Sequence, residues 1–191
     1  MLEFKISKER KSAKKFLTLA LAFIFSSLYV LLAQEEKRNE LSSPEFQAIH
    51  VSGVAKVFFT QEAHKEIEMI VSGDPYPQVI RKIKNGVLEI YTEGEAHNEV
   101  VEVFVSNPSL TSISVSDRAE FHSVKNMEMK TLRIEVKDVA SANIGVDVEK
   151  VAIHMDGGDL TISGITSKQD ITRSRQSSRG TLDNSRLKIV Q

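Results

Sequence analysis

The sequence predicts an all-β solenoid, and three observations carry that prediction. The pairs Ile113-x-Val115, Ile134-x-Val136, Ile153-x-Met155 and Ile171-x-Arg173 recur with starts 21, 19 and 18 residues apart. Each of the first three pairs leads into a small or polar turn, Ser116-Asp117-Arg118-Ala119, Lys137-Asp138-Val139-Ala140 and Asp156-Gly157-Gly158-Asp159. A second apolar pair then follows, Phe121 with Val124, Ile144 with Val146 and Ile162 with Ile165. The chain of 191 residues also has no tryptophan and only 9 phenylalanines, so its core must be aliphatic, as stacked Val and Ile columns would make it. A period of roughly 20 residues with strand alternation between turns belongs to units that bury their apolar face only by stacking on one another.

The first elements precede that repeat. Residues 1–15 carry a net charge of +4, and Phe16 to Ala33 then runs for eighteen residues without a charge. A basic flank before an apolar stretch is the pattern of a secretory signal peptide, with Ala33-Gln34 offering the small residue before cleavage. Eighteen residues also just reach the length of a spanning helix, so residues 1–33 read as a signal peptide or an uncleaved N-terminal membrane anchor, the former favoured. Either reading places the remainder outside the cytoplasm, with membrane contact only through residues 16–33, because the lysine-rich flank stays inside. Residues 34–45 are polar, end near Pro44 and read as a linker to a folded domain over 46–191.

Charge and composition exclude several functions. Residues 168–191 again carry +4, which leaves −9 on residues 34–167 within a total of −1. An acidic body argues against nucleic-acid binding, which needs clustered Lys and Arg to displace counterions. The chain has no cysteine, hence no disulfide framework, thiolate nucleophile or cysteine-type zinc site.

From Phe46 to Pro108 the alternation is that of strands. Ile49-His50-Val51 stops at Ser52-Gly53, and Ala55, Val57 and Phe59 then share one face. Ile67, Met69 and Val71 make another strand, ended by Ser72-Gly73-Asp74-Pro75. Tyr76 to Lys82 is read as a short helical turn with Val79 and Ile80 inward. Asn85-Gly86 before Val87-Leu88-Glu89-Ile90-Tyr91 is a strong hairpin signal, since both turn residues tolerate positive φ. After a turn at Glu93 to Asn98, Val101, Val103 and Val105 alternate with Glu102 and Phe104. This half is expected to form antiparallel strands that cover the N-terminal end of the solenoid, where a bare edge would invite another chain.

Val51-Ser52-Gly53-Val54-Ala55-Lys56-Val57, Thr60-Gln61, the Asn85 to Tyr91 run and the later Ile-x-Val coils together resemble the head GIN domain family of auto-transporter adhesins, over roughly Phe46 to Gln191. The resemblance implies a bacterial secreted or envelope-associated protein, a short right-handed parallel β-helix and no established enzymatic activity. Where relatives often carry Ser-Gly-Ala-Ser turns, this chain has Asp117, Asp138 and Asp159.

No catalytic set emerges from spacing. Histidines 50, 64, 97, 122 and 154 share no metal-ligand spacing and read as surface or edge residues. Asp156-Gly157-Gly158-Asp159-Leu160 resembles only a fragment of a calcium-binding repeat. Asp117 and Asp138 would stack as like charges, relieved by solvent or by a cation. No cofactor or metal is expected. In the last coil Arg173 occupies the slot of Val115, Val136 and Met155, and Arg175, Arg179 and Arg186 follow. These four arginines suit an anion-binding patch for acidic glycan or phosphate, or a charged final coil that blocks further strand addition, which is the favoured reading. The function this predicts is non-catalytic binding of envelope polysaccharide or another surface component. A self-assembling structural element is the alternative and a polysaccharide-cleaving enzyme a more distant one.

Overall fold

A computed structural model describes residues 45–64, 66–72, 78–93, 100–174 and 180–190, all within the compact unit Ser43–Gln191. The leader and most of the linker, the turns within 73–77 and 94–99, His97, Arg175 and Arg179 lie outside the described residues. The described residues are all-β. They hold no helix, and so none long and apolar enough to cross a membrane.

Ten strands follow in order: β1 (Ala48–Val51), β2 (Ala55–Thr60), β3 (Glu66–Ser72), β4 (Gln78–Lys84), β5 (Val87–Glu93), β6 (Val100–Ser106), β7 (Ser112–Val115), β8 (Glu120–Ser123), β9 (Met127–Arg173) and β10 (Thr181–Ile189). They join in one mixed sheet of order β3-β6-β2-β8-β9-β7-β1-β5-β4, with β10 on β9. The sheet curls because β9 serves both flanks, its residues 133–136 pairing with β7 and its residues 141–143 with β8. An extended segment of 47 residues can do this only if it turns corners. Asp138, Gly157, Gly158 and Gly164 supply them with φ of 58°, 109°, 65° and 117°.

Those corners stack. Val51 pairs with Val115 and Val115 with Val136, which sets Gly53, Asp117 and Asp138 over one another. Gly157 continues the file, since a Cβ on it would press on the backbone of Asp138. All four have positive φ, tolerated by glycine and by the short polar side chain of aspartate. The aspartates do more than tolerate it. Asp117 Oδ2 accepts the Gly53 N–H at 3.0 Å, and Asp138 Oδ2 accepts the Asp117 N–H at 3.2 Å. Each carboxylate is thus bound to the preceding pass of chain, and the like-charge stack expected from sequence is held by backbone donors. No group of residues among those described could hold a metal ion.

The aliphatic columns are as the repeat predicts. Leu88, Ile49, Ile113 and Ile134 lie in register and are fully or almost fully buried, as are Ile90, Val51, Val115 and Val136. The Gly157 contact on Asp138 extends both files to Ile153 and Met155, each 2% exposed. Ser174 N–H donates to Met155 O at 2.9 Å, just as Ser116 N–H donates to Val51 O beside the Val51–Val115 pair. Arg173 therefore sits over Met155 and Ile171 over Ile153.

Several expectations need correction. The first half is not wholly antiparallel: β1 runs parallel to β5 and β7, and β2 parallel to β6 and β8. Only β3, on β6, and β4, on β5, run antiparallel and close that end. The chain passes through β1 and β2, reverses in β3 and β4, and slots β5 and β6 between them, an order that local alternation does not encode. Residues 78–84 form strand β4 instead of a helical turn, because the Asn85-Gly86 turn, with φ of 52° and 74°, needs a strand on each side. Val124 and Ile165 are 58% and 39% exposed, since the chain leaves the inner face after Ser123 and Gly164. Ile171 keeps its register yet is 43% exposed, with no further column member above it among the described residues.

Candidate functional site

Alternation puts Val57, Phe59, Val103, Val105 and Phe121 inside and therefore turns Phe58, Phe104 and His122 outward. Register then gathers residues distant in sequence. Phe58 pairs with Phe104 on one side and His122 on the other, Glu68 pairs with Phe104, and Asn143 with His122. A row Glu68, Phe104, Phe58, His122, Asn143 thus crosses five strands. Parallel to it runs a second row, Ile70, Glu102, Lys56, Glu120, Ser141.

The three rings form a ladder. Phe58 and Phe104 stack with centroids 5.2 Å apart and planes at 15°, and Phe58 and His122 at 5.5 Å and 24°. Offset stacks of this spacing are favourable beyond the area they bury. Phe104, at the end of the ladder, is 38% exposed, while Phe58 and His122 are half-buried. The second row fixes the first. Lys56 Nζ lies 5.4 Å over the Phe58 ring and 3.3 Å from Glu120 Oε2, and His122 Nε2 lies 3.0 Å from that same oxygen. The hydrogen bond with His122, and then Lys56, hold the Glu120 carboxyl below the usual glutamate range, while partial burial opposes them. A charged Glu120 anchors both Lys56 and the outermost ring.

Beside the ladder is a groove of about 250 Å³ lined by Phe58, Phe104, Thr60, His64, Glu66 and Glu68 among others. Glu66 and Glu68 line it from the outer face of β3, and among its lining residues His64 O accepts the Ser106 hydroxyl at 2.7 Å. Glu62 at the rim is 3.6 Å from Lys125. The site thus combines an apolar ridge of stacked ring edges with carboxylates that accept hydrogen bonds. A smaller cleft of about 190 Å³ on the other flank is lined by Arg133, Ala152, His154, Asp170 and Thr172. The hydrogen bond from Lys150, at 2.7 Å, holds the Asp170 carboxyl below the usual aspartate range.

The arginines singled out in the sequence lie elsewhere. Arg173 ends β9 and Arg186 pairs with Ser163 within β10, both exposed in the last pass. Of the histidines, His122 is half-buried in the ladder, His64 is exposed in the groove and His50 and His154 are half-buried on separate strands. Sequence reasoning missed Phe58 and Phe104. Their signal was an aromatic at the outward position of an alternating strand, but nothing local says that strands 46 residues apart lie side by side.

A crystal structure of "Putative lipid binding protein" from Parabacteroides distasonis is similar at a TM-score of 0.51 and 9% identity, over 75% of this chain and 71% of that one. "Putative adhesin" structures are similar at 0.49 and 17% identity from Parabacteroides merdae (75% and 70% covered), and at 0.40 and 14% from Bacteroides fragilis (73% and 92% covered). A comparison with curated proteins finds no match. The family model described as "Putative auto-transporter adhesin, head GIN domain" matches residues 45–190, and on that match the chain belongs to this family.

Proposed function

We propose that the domain is a short right-handed parallel β-helix displayed outside the cytoplasm, and that it binds neutral cell-envelope polysaccharide on the Phe104–Phe58–His122 face without catalysis. The observation that carries this reading is the ladder of three stacked rings flanked by Glu66 and Glu68. Sugar rings present an apolar C–H face, which packs on the exposed edges of the ring ladder, and hydroxyls, which donate to carboxylates. Strand spacing of about 4.8 Å sets the repeat of the row, so an extended β-linked chain laid across the strands meets one side chain per step. The parallel registers of β1, β2, β7 and β8 and the stacked corners support the β-helix reading. The adhesin description of the family supports binding and display, and the basic flank with its uncharged stretch at residues 16–33 supports export.

The test is calorimetric titration with neutral β-linked hexose and N-acetylhexosamine oligosaccharides, beside an acidic polysaccharide. Binding of a neutral oligomer, lost in Phe58→Ala and weakened in Glu68→Gln with the fold intact, is the expected result. Binding unaltered by Phe58→Ala would refute the face. Binding of the acidic polymer alone, lost in Arg173→Ser, would move the site to the last coil.

A further inference from the structure

The two ends of the stacked sheet are finished differently. At one end β3 and β4 run antiparallel to the strands beneath them and present Glu66, Glu68, Arg81, Lys82 and Lys84. At the other end β10, nine residues long, is paired among the described residues with β9 alone. Among the described residues the last pass leaves apolar side chains uncovered: Leu182 and Leu187 are only half-buried against the core, and Ile189, Val190 and Ile171 are 60%, 44% and 43% exposed. Such an edge is a template for another strand.

The edge is bent, which selects its occupant. Register with β9 slips between Asp183 and Arg186, and Asp183 Oδ1 accepts the Ser185 N–H at 3.0 Å and the Ser185 hydroxyl at 2.7 Å, fixing a corner there. A straight foreign strand cannot follow a bulged edge along its length. A strand with the same corner can. About that corner the sequence is also complementary to its own reverse: Asn184 opposes Ser185, Asp183 opposes Arg186, Leu182 opposes Leu187 and Thr181 opposes Lys188.

We propose that β10 docks a second copy of this chain, end to end across a two-fold axis through the Asn184–Ser185 corner, as an antiparallel extension of the sheet. The axis maps the arm before the corner onto the arm after it, so both arms pair at once. Asp183 of each copy meets Arg186 of the other, twice per interface, while the half-buried Leu182 of each copy meets Leu187 of the other. Opposite charges facing across strands favour such pairing, and like charges in a shifted register oppose it. The charged antiparallel strands at the far end do not offer the same surface, so the contact closes at two copies and builds no filament. Arg186, which from sequence alone blocks strand addition, here chooses the strand that is added.

Sedimentation of the protein over a range of concentrations is expected to show a monomer–dimer equilibrium. Arg186→Asp sets two carboxylates against each other in each pair and should weaken the dimer at least about tenfold. The exchange Asp183→Arg with Arg186→Asp should restore it. Because the chain has no cysteine, register has a direct readout. A Thr181→Cys protein mixed with a Lys188→Cys protein should form a mixed disulfide under mild oxidation, and neither alone should cross-link at a comparable rate. A monomer at all concentrations, a filament, a dimer indifferent to Arg186→Asp, or failure of the exchange to restore it would each overturn the proposal. So would a dimer lost on removal of residues 1–44, which would assign the contact to that segment.

Discussion

Replacing Ile134 with alanine measures how far the aliphatic file holds the fold. Ile134 is fully buried, lies in register with Ile113 and is followed in the file by Ile153. The substitution deletes three methylene equivalents, at about 0.8 kcal/mol each a loss of about 2.4 kcal/mol. Its neighbours along the file belong to strands hydrogen-bonded on both sides, so they cannot close the gap, and the cavity brings the total to about 3–4 kcal/mol. Val139→Ala, at a side chain 71% exposed one residue beyond the corner, should cost under about 0.5 kcal/mol. Urea unfolding reads both as shifts in midpoint at unchanged slope. A loss below about 1 kcal/mol at Ile134, or an equal loss at Val139, would refute the stacked-column account. Ile134→Asp is the stronger form: it buries a carboxylate with no partner and should prevent folding, so a soluble, protease-resistant product would overturn the register.

Gly157→Ala should destabilise by more than about 2 kcal/mol in thermal unfolding, because φ is 109° and the new Cβ would strike the Asp138 carbonyl. Gly86→Ala has open space around it and should cost only the left-handed strain of about 1–2 kcal/mol. Asp138→Ala loses both a residue suited to φ of 58° and the acceptor of the Asp117 N–H, so a loss of about 1–3 kcal/mol is expected, with Asp138→Asn costing less. Glu120 has a depressed folded pKa, so its contribution is present above the ordinary glutamate value of 4.5 and fades as pH falls through the lower folded value. Glu120→Gln should therefore be less stable than the parent at pH 7 and converge with it near the acid limit. Its side chain is 44% exposed, so the gap at pH 7 stays under about 1 kcal/mol, and a gap that widens on acidification would reverse the sign argued here.

Much of the architecture was legible because a stacked unit writes its inner face into local sequence. Ile113, Ile134 and Ile153 announce their column, and Asn85-Gly86 its hairpin, through residues a few positions apart. What stayed hidden depends on which passes become neighbours. The slotting of β5 and β6 between β1 and β2 on one side and β3 and β4 on the other leaves no trace in alternation, since a strand of Val and Ile reads alike in parallel and antiparallel pairing. The turn aspartates were visible as a column but not as acceptors. Their carboxylates point back to the N–H of the preceding pass only because φ near 58° turns the side chain that way.

The same distinction explains the site. Arg173 and Arg186 attract notice because they break a local rule, whereas Phe58 and Phe104 break none: an outward phenylalanine in a strand is ordinary taken singly. It becomes informative when strand pairing sets a second phenylalanine and a histidine beside it, at 5.2 and 5.5 Å. Parallel stacking multiplies any outward residue into a row, so one aromatic per pass makes a continuous ridge at little cost to the inner face. Changes in the outer row alter what the surface can hold, while the inner columns keep the register that builds it. Phe58→Ala should thus act on binding and Ile134→Ala on stability, although their strands, β2 and β9, are separated in the sheet only by β8.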